Sequence, residues 1–156
     1  MPGYSTRMGK RTGRKLNDFN LVRPLPGDPD LIAKAVNEGE RLGKLIGMFT
    51  CEENSIILAK VAMEGASGAD VVVVAGFAYP GHPDAERPDL PRAHVWVRID
   101  NQHIDISWSR RGHDPITGQY YAAFEERVTA FSNDMPELNI LNRLNEIAVK
   151  RGLELL

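Results

Sequence analysis

HVWVRIDNQHIDIS, residues 94–107, decides how this chain is read. Val95, Val97 and Ile99 alternate with His94, Trp96 and Arg98, and Ile104 and Ile106 alternate with His103, Asp105 and Ser107. Alternation of period two marks a strand with one face on a core, and two such runs in succession mark a hairpin. Asp100-Asn101 is the natural turn between them, because Asp and Asn accept positive φ more readily than other residues carrying a Cβ. That turn sets the register: Ile99 opposite Gln102, Trp96 opposite Asp105, His94 opposite Ser107. The alternation that points valine and isoleucine to one side points His94 and Asp105 to the other, as diagonal neighbours within side-chain reach.

Upstream of the hairpin, Asp70 to Tyr79 contains VVVVAGF, β-branched and apolar on both faces, the pattern of a strand buried on two sides. Pro80 ends it. The segment 80–93, PGHPDAERPDLPRA, has no periodicity and reads as a surface loop that runs straight into His94, the expected substrate-side wall. Ahead of the strand, Thr50-Cys51-Glu52-Glu53-Asn54 opens a helix that runs to about Glu64 and buries Ile57, Val61 and either Leu58 or Ala62. Thr50 and Glu53 have the spacing of a capping box, which places Cys51 in the first turn. An earlier helix is expected from Asp30 to about Phe49, started by Asp28 and Pro29, with Gly39, Gly43 and Gly47 serving close packing or ending it at Gly47. Downstream, 108–118 reads as loop and Tyr120 to Phe131 as strand for at least part of its length. A closing helix is capped by Asp134, carries Leu138, Leu141, Leu144, Ile147 and Ala148 on one stripe, and stops at Gly152. The fold class expected is α+β: a helix bearing Cys51 packed against an antiparallel sheet of about four strands, with helices N- and C-terminal to it.

The chain has 156 residues, enough for one sizeable core, and residues 24–156 are expected to form one domain. Hydrophobic residues make up 42 % and charged residues 26 %, which suits a globular protein and not a disordered one. The longest apolar run, Val71 to Ala75, is far too short to span a bilayer, so no membrane partner is expected. The single cysteine cannot make an internal disulfide, and no apolar segment follows the basic residues near Met1 as in a secretory signal. The expected location is cytoplasmic. A net charge of −2 conceals Arg7, Lys10, Arg11, Arg14 and Lys15 against Asp18, so residues 1–23 read as a mobile basic arm. Such an arm is usually only solvated; nucleic acid is its alternative partner.

The site expected from these pieces is built on Cys51. Unpaired N–H groups and the dipole at a helix start favour a thiolate, although Glu52 and Glu53 oppose it. His94 can take the thiol proton and later protonate a leaving group, while Asp105 orients the ring and stabilises its charge. Cys51, His94 and Asp105 are therefore the catalytic residues expected, with the Cys51 N–H as one oxyanion donor. Each has a plainer reading. Cys51 can be a small buried apolar residue, His94 and Asp105 an exposed pair on a ribbon, and Trp96 hydrophobic cover. Zinc held by these three residues is chemically conceivable, but they lack the close spacing of metal motifs, so no metal or cofactor is expected.

With its helix-start cysteine in TCEENSIILAKVA, an apolar strand, HVWVRID and HIDIS, the chain resembles the transglutaminase-like branch of the papain-fold cysteine enzymes, as a small bacterial or phage-type member. Asn54 matches a C-x-x-N seen in some relatives. The resemblance implies a papain-like core, the triad Cys51, His94 and Asp105, and acyl transfer from an amide or thioester of a protein, peptide or small molecule. Asn54, Trp96, Tyr79 and His82 are the residues expected to support the site or face substrate. The chain departs from the pattern in its short hairpin and in lacking a glutamine ahead of Cys51, so a second oxyanion donor is not assigned. The rivals are a catalytically silent fold that binds a partner and a nucleic-acid-associated protein acting through the arm.

Overall fold

The computed structural model describes residues 16–25, 27–43, 51–65, 68–79, 89–106, 119–127 and 139–155. Among them are the strand β1 (Asn20–Val22), helices α1 (Pro29–Arg41) and α2 (Cys51–Gly65), strands β2 (Val71–Tyr79), β3 (Arg92–Ile99), β4 (Gln102–Ile104) and β5 (Gln119–Glu126), and the helix α3 (Ile140–Arg151). The fold is α+β. The strands form one antiparallel sheet in the order β1-β5-β2-β3-β4.

α2 carries the core. Every residue from Asn54 to Ala62 is buried, between α1 on one side and β2 and β3 on another. The expected apolar stripe was too narrow: Leu58 and Ala62 are both buried, and so are Ile56, Ala59 and the aliphatic stem of Lys60. A helix enclosed on all sides loses the polar face from which an orientation is read. α1 begins as expected, with Asp28 accepting from the Asp30 N–H at 3.4 Å and Pro29 in the first turn. It ends at Arg41 and not near Phe49. Gly43 adopts φ +78°, the left-handed conformation that turns a chain out of a helix. Gly47 and the Thr50–Glu53 capping box lie outside the described residues.

The hairpin has the register its turn demands, with Ile99 opposite Gln102, Arg98 opposite His103 and Val97 opposite Ile104, and Asp100 at φ 50°. The ladder stops there, so Trp96 and Asp105 are not paired across it, and Ser107 lies outside the described residues. Tyr120 and its neighbours are strand, as favoured from their composition. The described part of the closing helix starts at Ile140, and the expected cap at Asp134 lies outside the described residues. Glu52 instead accepts from the Ile140 and Leu141 N–H groups at 3.2 and 3.4 Å, and Gly152 ends the helix.

The sheet has one strand more than expected, and it comes from the basic segment. Leu16 is fully buried, Phe19 packs on Phe77 with ring centroids 5.5 Å apart, and β1 pairs along β5. The expected arm thus surrenders its residues from Leu16 onward to the fold. Its consequence is geometric. Val22 lies on one edge strand, while Leu25 bridges Ile104 on the opposite edge and donates to the His103 carbonyl at 2.7 Å. Three residue steps reach at most about 11 Å. In a flat sheet those edges would be about 19 Å apart, four inter-strand spacings. The sheet must curl until its edges nearly meet.

The two faces of that curl differ. One packs against the helices through Val71, Val73, Ala75, Phe77, Val95, Val97 and Ile104. The other buries Val72, Val74, Ala78, Trp96 and Tyr120 among themselves, with no residue of the described helices in the cluster. Among the described residues no helix lies over these side chains, and the sheet's curvature brings them together. Gly76 permits it: a Cβ there would lie 1.9 Å from the Tyr121 carbonyl oxygen and 2.9 Å from Trp96 Cη2. The β2–β5 register also slips at this point, Ala75 facing Phe124 and Gly76 facing Ala122, a bulge that sharpens the bend.

Candidate active site

His94 sits on β3 directly opposite Gly76, on the inner face of the curl, and Asp105 follows β4 on the same face. The sequence pattern left open that this pair is exposed. Both are buried, His94 at 5 % and Asp105 at 1 % exposure. His94 Nε2 lies 2.6 Å from Asp105 Oδ2, an imidazole N–H donating to a carboxylate. The Cys51 side chain also interacts with His94 and favours its charged form.

The Cys51 side chain interacts with His94 although α2 packs on the other face, against whose core Cys51 also lies. β4 stops at Ile104, so among the described residues the edge of β3 beside Val95 has no strand partner on that side. Ser55 Oγ occupies it, within hydrogen-bond distance of the Val95 carbonyl at 3.0 Å and of the Cys51 carbonyl one turn back at 2.7 Å. The start of α2 is thereby pinned over the open edge, next to His94. Glu52, which could have opposed a thiolate, directs its carboxylate to the first N–H groups of α3. Ser55 was not singled out from the sequence, where a serine one helical turn after the cysteine was its only local signal, and Glu52 was read there only as a charge opposing the thiolate.

The electrostatics favour a charged ring. Burial alone would drive His94 toward neutrality, but the Asp105 carboxylate, through its charge and hydrogen bond, and then Cys51 outweigh it and raise the His94 pKa. The imidazolium therefore persists to higher pH than an ordinary histidine's and is lost only as pH rises through that elevated value.

No protein-family model, curated protein or solved structure matches the chain. What the site can do rests on its own atoms. Trp96 is brought in: its ring stacks beside His94 with centroids 6.1 Å apart at 26°, and its Nε1–H donates to His103 Nδ1 at 2.9 Å. Burial, then the charge of Arg98, lower the His103 pKa and keep Nδ1 an acceptor. Asn54 is buried on α2 one turn after Cys51. Tyr79 is placed elsewhere, at the end of β2 and edge-on to Tyr121 with centroids 6.3 Å apart, its phenol pushed up to about 12 by burial. His82 and most of the loop ahead of His94 lie outside the described residues.

One residue absent from the sequence reading belongs here. Tyr120 on β5 is fully buried, and its hydroxyl donates to Asp105 Oδ2 at 2.5 Å. Its ring meets His94 edge-on at 5.6 Å and Trp96 at 5.0 Å. No group of three or more potential ligands is gathered for a metal among the described residues. No described helix is long and apolar enough to cross a membrane.

Proposed function

We propose that the chain is a cysteine-dependent acyl-transfer enzyme of the transglutaminase-like kind, acting on an amide or thioester. Cys51 is the nucleophile, His94 the acid–base and Asp105 the group that orients and charges the ring. One observation carries the reading: a buried imidazole that donates to Asp105 at 2.6 Å and whose charged form the side chain of the only cysteine also favours. His94 Nδ1 takes the thiol proton, and the sulfur attacks the carbonyl carbon of the substrate. The resulting oxyanion is received by N–H groups at the start of α2, which have no acceptor within their own helix. The imidazolium returns its proton to the departing amine or thiol, leaving an acyl-thioester on Cys51. Water or an amine, deprotonated by the same ring, then removes the acyl group. A silent binding fold has no need of this arrangement.

The test is alkylation of the native protein by iodoacetamide across pH. The expected wild-type rate holds a plateau down to about pH 6, where an ordinary thiol is almost wholly protonated. His94→Ala removes that plateau, and Cys51→Ala abolishes labelling. A wild-type profile like that of a free thiol, indifferent to His94→Ala, overturns the proposal.

A further inference from the structure

We infer that Tyr120 is a fourth, positioning member of the site, setting through Asp105 the pH range over which the Cys51–His94 pair is charged. The inference rests on the function proposed above and assigns a residue that the triad does not contain. Its basis is that one oxygen, Asp105 Oδ2, accepts from two donors, the His94 ring at 2.6 Å and the Tyr120 hydroxyl at 2.5 Å. Asp105 is buried, so no bulk water moderates its charge and these donors do so instead.

The contact is not a local accident. Tyr120 stands on β5 and Asp105 follows β4, with β2 and β3 between those strands. On a flat sheet the two strands would be about 14 Å apart, three inter-strand spacings. They meet because the sheet curls, next to its closure: Tyr120 pairs with Val22 on one edge, and Ile104 bridges Leu25 on the other. The phenol is unsuited to act as acid or base itself. Burial, followed by the charge and hydrogen bond of Asp105, raises its pKa beyond the usual phenolic range, so it stays a donor. Its ring lies edge-on to both His94 and Trp96, which fixes the imidazole plane as well.

A donor to Oδ2 withdraws charge that would otherwise act on His94 and Cys51. Without it the carboxylate holds the imidazolium proton harder and opposes a thiolate more. Both limbs of the reactivity window then move to higher pH. A hydrogen bond to a charged group is strong enough to move them by about 1 pH unit.

The experiment compares iodoacetamide pH–rate profiles of wild type, Tyr120→Phe and protein carrying 3-fluorotyrosine at position 120, each with its thermal midpoint. Tyr120→Phe is expected to shift the window up by about 1 pH unit, and the fluorinated phenol, a stronger donor, to shift it down. Opposite shifts establish the role, since a merely structural tyrosine would change the thermal midpoint and leave the limbs in place. If Tyr120→Phe does not fold, the fluorinated protein decides alone, because it keeps the ring and the hydroxyl. Unmoved limbs in whichever variants fold overturn the inference while the wild-type plateau and its loss in His94→Ala stand. Failure of the wild-type plateau itself is the separate result that removes the triad.

Discussion

Replacing Gly76 by alanine should cost more stability than any other single methyl group added to the described chain. The added Cβ would lie 1.9 Å from the Tyr121 carbonyl oxygen and 2.9 Å from Trp96 Cη2. Real Cβ atoms do not come closer than 3.0 Å to such neighbours, so the carbonyl must retreat by roughly 1 Å. That carbonyl is backbone at the bulge between β2 and β5, and cannot swing aside as a side chain does. Overpacking commonly costs 1–3 kcal/mol, and a clash with backbone belongs at about 3 kcal/mol or above. Out of a total stability on the order of 5–15 kcal/mol, this is a substantial fraction. For a slope of about 2 kcal/mol per molar urea it lowers the unfolding midpoint by about 1.5 M. The control is Gly65→Ala at the end of α2, where nothing lies within 4 Å of the new methyl. That change should be neutral or stabilise by about 0.5 kcal/mol, through the lower entropy of the unfolded chain. The retreat also drags Tyr120, the neighbour of Tyr121, so the iodoacetamide plateau should shrink in whatever folded protein remains. A Gly76→Ala midpoint within about 0.5 kcal/mol of wild type would refute the close approach and the account of the curl built on it.

Two further predictions concern groups around α2. Lys60 Nζ, 8 % exposed as a residue, meets Glu38 Oε1 at 2.8 Å, and hydrogen bonds from Arg41 and Lys60 hold the Glu38 carboxyl down at about 2. A folded pKa below the unfolded 4.5 means that this stabilisation is complete above the unfolded value and disappears as pH falls through about 2. Glu38→Gln should therefore cost about 2 kcal/mol at neutral pH by stranding Lys60, should cost less at about pH 3, and should be largely repaired by adding Lys60→Met; urea titrations at both pH values check it, and equal losses at the two would count against the pair. Glu52→Ala removes the acceptor for the first N–H groups of α3 and should cost about 1 kcal/mol. Hydrogen exchange should accelerate at Ile140 and Leu141 ahead of the rest of α3, and unchanged protection there would show that the cap lies elsewhere.

What the sequence disclosed is what its near neighbours determine. Asp100-Asn101 fixes the β3–β4 register within a handful of residues, and Asp28-Pro29 starts α1 on the same short range. The start of α2 and the strand after it were equally local. The boundary of α1 failed because several glycines compete as stops, and only the backbone shows that Gly43 takes positive φ. β1 was hidden because Leu16, Phe19 and Leu21 directly follow a run of basic residues and are interspersed with Asn17, Asp18 and Asn20, where composition speaks of a tail. The roles of Tyr120 and Glu52 were hidden for another reason. Their partners, Asp105 and the Ile140 N–H, are brought to them by strand pairing and helix docking, and no spacing along the chain encodes that.

The curl is what separates a plausible residue pattern from a working arrangement. On an open hairpin His94 and Asp105 would share a wet face, where a carboxylate–imidazole pair is worth little and water competes for both nitrogens. Folding β5 round to meet β4 takes water away, and each buried charge then requires its partners in place. Asp105 accepts from His94 and Tyr120, and the Cys51 side chain favours the charged form of His94. The cysteine arrives from the opposite face only because β4 ends at Ile104 and leaves an edge for Ser55 to grip. Lengthening that strand would bury Val95's edge under another ladder and shut the thiol out. The short hairpin is therefore the feature that lets α2 reach the ring.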